Sequence, residues 1–298
     1  MDNRPRGLPA PPPPGTAALP PGTYAGQVVL VTGGGSGLGK AIAAEFARLG
    51  GDLVIAGRRT AQLEAACGEL AAVPGAGRVT AAVCDIRDPE RVADVFDAAE
   101  AALGLPDVLI NNAAANFPCP AEDLSPNAWR AVVDTTLTGT WFMTREFGRR
   151  HLSAGTAGSI VNIGASYAWT GGPGFAHSAA AKAGVKNLVE TLAVEWGPYG
   201  IQINGLVPGL FPHEDMSEDI RGGLERAAPG AKDARQPALR VGAPRELGWA
   251  ATFLASPYAR FVTGHTLVVD GANWQRRSLV SPEVVPLREQ LGRPPFGH

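Results

Sequence analysis

The sequence is poor in cysteine and lysine, carries almost no net charge, and has no apolar run of membrane length. Three cysteines (Cys67, Cys84 and Cys119) in 298 residues are too few and too scattered for a disulfide framework or a zinc site. They read as reduced, structural thiols of a cytosolic chain. Twenty-six Lys+Arg stand against 28 Asp+Glu, and only four of the basic residues are Lys. Without a cationic excess, neither nucleic acid nor an anionic membrane surface is attracted. No stretch reaches the ~20 apolar residues that a membrane span requires, and the N-terminus lacks the apolar core of a secretory signal. Arg4 and Arg6 leave a trace of a transit peptide, but Pro11–Pro14 would break the helix such a peptide forms.

What is present is proline at one end and a regular alternation after it. The first 25 residues hold eight prolines and little apolar periodicity, so a mobile, extended tail is expected there. From Gln27 onward, short aliphatic runs alternate with amphipathic stretches of helix length. The strands are expected at Gln27–Thr32, Asp52–Ala56, Val79–Cys84, Val108–Ile110, Ser159–Ile163, Ile201–Val207 and Thr266–Val269. Helices are expected at, for example, Ala41–Leu49, Ala61–Ala72, Glu90–Leu103 and Glu246–Ala255. Near-continuous apolar strands alternating with helices predict a parallel sheet covered on both faces. There is no composition break or internal repeat, so one doubly wound α/β domain over residues 26–298 is expected.

The first strand runs into Thr32-Gly33-Gly34-Gly35-Ser36-Gly37-Leu38-Gly39 before a helix begins. Glycines at such a turn let backbone N–H groups approach a pyrophosphate, and the helix N-terminus adds partial positive charge. Gly33, Gly35, Ser36, Gly37, Leu38 and Gly39 are therefore candidate cofactor residues, although an isolated glycine cluster could be a plain turn. The second strand ends in Gly57-Arg58-Arg59, with no acid to bind a ribose 2′-hydroxyl. Arg58 there suits a 2′-phosphate and so NADPH, against a surface-charge reading of the pair. Asp85, after the third strand, is placed for an adenine edge or for capping the helix that follows.

These residues resemble the motifs of the short-chain dehydrogenases/reductases. Thr32–Gly39 is similar to their TGxxxGxG, Asn111-Asn112-Ala113-Ala114 to their NNAG, and Pro208-Gly209 to their PG pair. The likeness covers about residues 25–272 and implies a seven-stranded Rossmann-type parallel sheet in a homo-oligomer, tetramer or dimer. It also implies cofactor contacts at Asn112, Lys182, Pro208 and Gly209. Three family positions depart from the pattern. Ser178 stands where the catalytic Tyr precedes Lys182, Ala165 replaces the catalytic Ser, and Thr136 replaces a helical Asn. A phenol with pKa ~10 exchanges a proton with an alkoxide far more readily than a Ser hydroxyl does. Ordinary carbonyl chemistry through Ser178 is therefore disfavoured. Tyr167, just past the fifth strand, is a second source of an acidic hydroxyl, with a packing role as its alternative.

This rearrangement resembles the 2,4-dienoyl-CoA reductases. Their Tyr after the fifth strand is matched by Tyr167, and their Ser-x-x-x-Lys by Ser178 to Lys182. Their Asn-Asn-Ala-Ala-x-Asn-Phe is matched by Asn111 to Phe117, and their Ser-Pro-Asn-Ala-Trp by Ser125 to Trp129; Cys84 to Pro89 is also similar. The resemblance implies that Tyr167 and Asn116 bind a thioester oxygen, with Lys182 on the nicotinamide ribose and Ser178 supporting it. It places Arg87, Phe117 and Ser125 along the path of an acyl-CoA. Residues 210–229 have no clear counterpart. His177, His213 and Trp274 border the expected pocket or serve structural roles. Two other readings stay open: a short-chain reductase of another enone, ketone or sugar, and a non-catalytic NADP(H)-binding regulator.

Overall fold

In the computed structural model, residues 7–213, 216, 233, 236–275 and 286–293 are described; most of the unmatched 210–229 segment lies outside them. Seven strands form one sheet: β1 (Val28–Thr32), β2 (Asp52–Gly57), β3 (Val79–Val83), β4 (Val108–Asn111), β5 (Gly158–Ile163), β6 (Ile201–Pro208) and β7 (Thr266–Val269). Their order is β3-β2-β1-β4-β5-β6-β7, and all six pairings are parallel. The order reverses between β1 and β4, which opens a crevice at the strand C-terminal ends.

The expected strands are matched to within a residue or so, because burial on both faces makes the inner five continuous, largely apolar runs, while the edge strands β3 and β7 are only partly covered. Along β1 the side chains alternate. Val29 and Val31 enter one core with α1 (Gly37–Arg48), α2 (Thr60–Ala71) and α8 (Pro244–Ala255). Val28 and Leu30 enter the other with α3 (Pro89–Ala102), α5 (Gly139–Ala154) and α7 (Ala176–Trp196). Each fully buried aliphatic side chain there contributes about 1.5–3 kcal/mol through the area it removes from water. Between the two ends lie α4 (Pro126–Val133) and a single π-helical turn, Asp134–Thr138. The short α6 (Tyr167–Thr170) follows β5, and α9 (Leu287–Gln290) lies near the C-terminus. No helix among the described residues is long and apolar enough to cross a membrane. All three cysteines are free.

The N-terminal tail, expected to be mobile, is instead docked: Leu8 and the carbonyls of Pro9, Pro12 and Thr16 bond residues between 238 and 249, and the end nearest the domain is anchored in the core. Tyr24 is wholly buried; its ring meets Phe46 edge-on at 4.7 Å and its hydroxyl donates to the Thr252 carbonyl. An aromatic with one polar tip found an apolar site that ends in a carbonyl, which periodicity over a proline-rich stretch does not reveal.

Candidate active site

The glycine turn is shaped by backbone demands. Gly33 and Gly37 adopt left-handed φ values of 64° and 51°, a region costly for any residue with a Cβ. Gly39 packs so tightly that a Cβ would sit 2.3 Å from the Gly33 carbonyl and 2.4 Å from Asn112 Nδ2. The turn is held from the β4 side. Asn112 Nδ2 donates to the Thr32 carbonyl (3.0 Å), while the backbone N–H groups of Asn112 and Ala113 both donate to Thr32 Oγ1 (3.0 Å each). Asn111 Nδ2 donates to Thr144 Oγ1 and Asn162 Oδ1, both at 2.9 Å. The two asparagines thus tie β1, β4 and β5 together beneath the crevice.

Above them lies a cleft of about 500 Å³. It is lined by Gly33, Gly35, Ser36, Gly37 and Leu38, by Arg58, Asp85 and Asn112, and by Asn116, Tyr167, Ser178 and Lys182. This gathers the residues singled out for cofactor and chemistry into one place. Gly39, Pro208 and Gly209 stand behind the wall instead. Gly209 donates its N–H to the Val269 carbonyl at 2.9 Å, and a Cβ on it would meet Asp270 at 2.5 Å. The glycine cradle, the α1 N-terminus on the cleft wall and two arginines at the end of β2 fit a nicotinamide dinucleotide.

At the far end of the cleft, Asn116 Nδ2 donates to the Tyr167 hydroxyl at 3.3 Å. That hydroxyl shares a 3.0 Å hydrogen bond with Ser178 Oγ. The Tyr167 ring lies parallel to Phe175, with centroids 6.0 Å apart. Burial raises the Tyr167 pKa, partly countered by Ser178, so the phenol stays protonated and able to donate. Lys182 is buried, and its ammonium donates to the Ile163 carbonyl. Burial pushes its pKa down to about 8. Thr136, at the family's Asn position, is fully buried and bonds the Ala115 backbone N–H and carbonyl through Oγ1 (3.2 and 3.3 Å). It therefore braces the Asn116 loop from behind.

Three residues assigned to an acyl-CoA path lie off the cleft wall. Arg87 grips Asp85 through Nε (2.9 Å) and Nη2 (2.5 Å), and this holds the Asp85 carboxyl below its ordinary range. Ser125 Oγ caps α4 by accepting from the Ala128 N–H at 3.2 Å. Phe117 packs edge-on against the buried His177 at 4.6 Å. Trp274 stacks on Trp169 at 5.4 Å. His213 does line the cleft, as do Gln62, Thr135 and Met216, which sequence reasoning had not singled out. Gln62 stands one helical turn after Arg58-Arg59, a spacing that could have flagged it. Nothing local marks Thr135 or Met216.

A family model described as "Enoyl-(Acyl carrier protein) reductase" matches residues 33–272. A probable 2,4-dienoyl-CoA reductase of Bacillus subtilis is 40% identical over 250 residues, covering 83% of this chain and 96% of that protein. The peroxisomal 2,4-dienoyl-CoA reductase of Mus musculus is 38% identical, covering 83% and 84%. Among solved structures, a short chain dehydrogenase from Bacillus anthracis superposes with a TM-score of 0.74 at 38% identity, covering 83% and 96%. A citronellol catabolism dehydrogenase of Pseudomonas aeruginosa also gives 0.74, at 37% identity over 87% and 99%. With its seven-stranded parallel sheet, its glycine cradle and these relatives, the chain belongs to the short-chain dehydrogenase/reductase family and is an oxidoreductase similar to the family's 2,4-dienoyl-CoA reductases.

Proposed function

We propose that this chain reduces 2,4-dienoyl-CoA to an enoyl-CoA with NADPH. The observation that carries the reading is the hydrogen-bonded row Asn116–Tyr167–Ser178 beside Lys182, at the far end of the cleft from the arginines. Arg58, with Arg59 beside it, would hold the 2′-phosphate, and Asp85 the adenine edge. The glycine cradle with Ser36 and Leu38 would hold the pyrophosphate, and Lys182 the ribose. When bound, the reduced nicotinamide supplies a hydride to the distal end of the conjugated thioester.

The protein's own task is the charge that then spreads to the thioester oxygen. With Ser178 Oγ–H as the donor of the bond it shares with Tyr167, and one Asn116 N–H donating to the same phenol oxygen, the Tyr167 O–H would be free to donate outward to the thioester oxygen. The second N–H of Asn116 is a further donor to the same oxygen. Donors fixed before the charge develops are worth most in a water-poor site. A phenol held neutral by burial suits this work, because a donor is needed and rapid proton exchange with an alkoxide is not. That is why Ser178 can stand where ordinary alcohol dehydrogenases of the family keep Tyr. A proton drawn from solvent would then reach a carbon atom of the dienolate, completing the addition of one hydride and one proton. Arg87, Phe117 and Ser125 flank the acyl-CoA path in this reading. The chain is read as a cytosolic homo-oligomer, tetramer or dimer.

The test is NADPH oxidation with hexadienoyl-CoA beside a panel of ketones, sugars and unactivated enones. Turnover of the dienoyl thioester should exceed that of every carbonyl by orders of magnitude. A ketone or sugar turned over as fast would transfer the assignment to another short-chain reductase.

A further inference from the structure

The surface of α8 that receives the N-terminal segment takes no part in the site just described. Arg240 Nε donates to the Pro9 carbonyl (3.0 Å). Arg245 Nε and Nη2 donate to the Pro12 carbonyl (3.1 and 2.9 Å), and Trp249 Nε1 donates to the Thr16 carbonyl (3.1 Å). Arg245 and Trp249 are four residues apart and so share one face of the helix. The Arg245 guanidinium lies 6.0 Å from the centre of the Trp249 ring, a cation–π arrangement. The occupant has matching chemistry. Proline runs favour the polyproline II helix, which has three residues per turn and leaves its carbonyls unbonded. Pro9 and Pro12 are one such turn apart, so their carbonyls fall on one edge. Beyond Thr16, Ala17 and Leu19 pack against the core.

We infer that α8 and the residues leading into it form a polyproline-binding surface whose occupant is the chain's own residues 8–17, and that the docked segment holds the connection before α8 against the cofactor cleft. The contacts run without a break from one to the other. The Leu8 N–H donates to the Ala238 carbonyl at 2.9 Å, and a Cβ on Gly7 would stand 2.6 Å from that same oxygen. The next residue, Leu239, holds a left-handed φ of 53°, a bend that persists only where its surroundings impose it. Gly242 then donates its N–H to the Leu210 carbonyl at 3.0 Å, and a Cβ on it would come 2.3 Å from the Phe211 ring. Two residues further on, His213 abuts Gly37, whose added Cβ would come 3.1 Å from the imidazole. The strap therefore ends, through four short links, on the glycine cradle.

Two full-length variants test this without touching the cleft. Arg245→Gln removes the bidentate grip, and Pro11, Pro12 and Pro13 all changed to Gly keep the carbonyls but remove the stiffness. The readouts are amide exchange at Leu239 and Gly242 and the dissociation constants of NADPH and NADH by fluorescence titration. In both variants, exchange at the two amides should speed about tenfold while β1 amides stay at wild-type rates, since only a local opening is released. The dissociation constant of the preferred dinucleotide should rise about three- to tenfold. Unchanged exchange in both variants would overturn the docking, and faster exchange with unaltered dinucleotide affinity would overturn the link to the cleft. Protection that grows with protein concentration in the wild type would assign the occupant to a second copy and overturn the intramolecular strap.

Discussion

Lys182 is an ammonium buried with a carbonyl for company, and its pKa of about 8 sets a pH window. In the unfolded chain the group titrates near its ordinary value of 10.5. Between about 8 and 10.5, the unfolded state therefore binds more protons than the folded one, and stability rises with pH. That sign is opposite to the one for a lysine held in an ion pair. In cofactor-free protein, Lys182→Met should be more stable than wild type below pH 8, with the gap in Tm closing as pH rises toward 10. A gap that stays constant would show that burial does not govern this group. If Lys182 holds the ribose as proposed, dinucleotide affinity should move the other way, falling above pH 8 as its ammonium is lost. Ser178 shares a helical turn with Lys182 but contributes one neutral hydrogen bond to Tyr167, worth ~1 kcal/mol. Ser178→Ala should keep kcat within about tenfold of wild type, whereas Lys182→Ala should lose most activity. Equal and complete loss would make Ser178 the principal acid.

At the scale of elements, the strands and the glycine turn were legible because each is over-determined by its own residues. Burial on both faces writes a strand such as Leu53–Ala56 as an unbroken apolar run. The Gly33–Gly39 turn tolerates no Cβ at its close approaches. Helix α7 carries Ser178 and Lys182, yet its buried positions include small residues such as Ala181 and Ala193, and its apolar pattern is weak. Family likeness located it, where periodicity did not. The π-turn at Asp134–Thr138 has no sequence signal; it carries Thr136, whose Oγ1 bonds the Ala115 backbone under the Asn116 loop. Arg87, Phe117 and Ser125 were assigned by likeness alone, and the partners they have in this chain are Asp85, His177 and the α4 N-terminus. The end of β2 is the clearer case, because strand position and residue type agree there. Arg58 lines the cleft where a guanidinium can meet a 2′-phosphate in bidentate fashion. Arg58→Asp should weaken NADPH binding by about 1.5–3 kcal/mol, the range of a hydrogen bond to a charged group, and leave NADH binding nearly unchanged. Wild-type protein that bound both dinucleotides equally would remove the reason for that arginine.

For the molecule as a whole, the site depends on strand order. Asn116 follows β4 and Tyr167 follows β5, 51 residues later in the chain, and they meet because those strands are neighbours with Asn111 opposite Asn162. The cores on both faces hold that register, so the two donors converge without either loop having to supply the precision. In the proposed function both side chains would act on one thioester oxygen, which has a kinetic signature. Under that reading each donor would act on charge that develops only in the transition state, so its removal should lower kcat by ~10²–10³-fold with a dienoyl-CoA, leaving NADPH affinity near wild type. The donors are also coupled to each other, since Asn116 bonds the Tyr167 hydroxyl directly. Once Tyr167→Phe has removed the hydroxyl, Asn116 has lost the partner that positions it. The double variant Tyr167→Phe/Asn116→Ala should therefore lose clearly less than the product of the single losses, a coupling of about 0.5–3 kcal/mol. Strict multiplicativity would mean that the two side chains act on different atoms. A Tyr167→Phe enzyme within about threefold of wild type, against the 10²–10³ expected of a lost oxyanion donor, would place the oxyanion site elsewhere in the cleft.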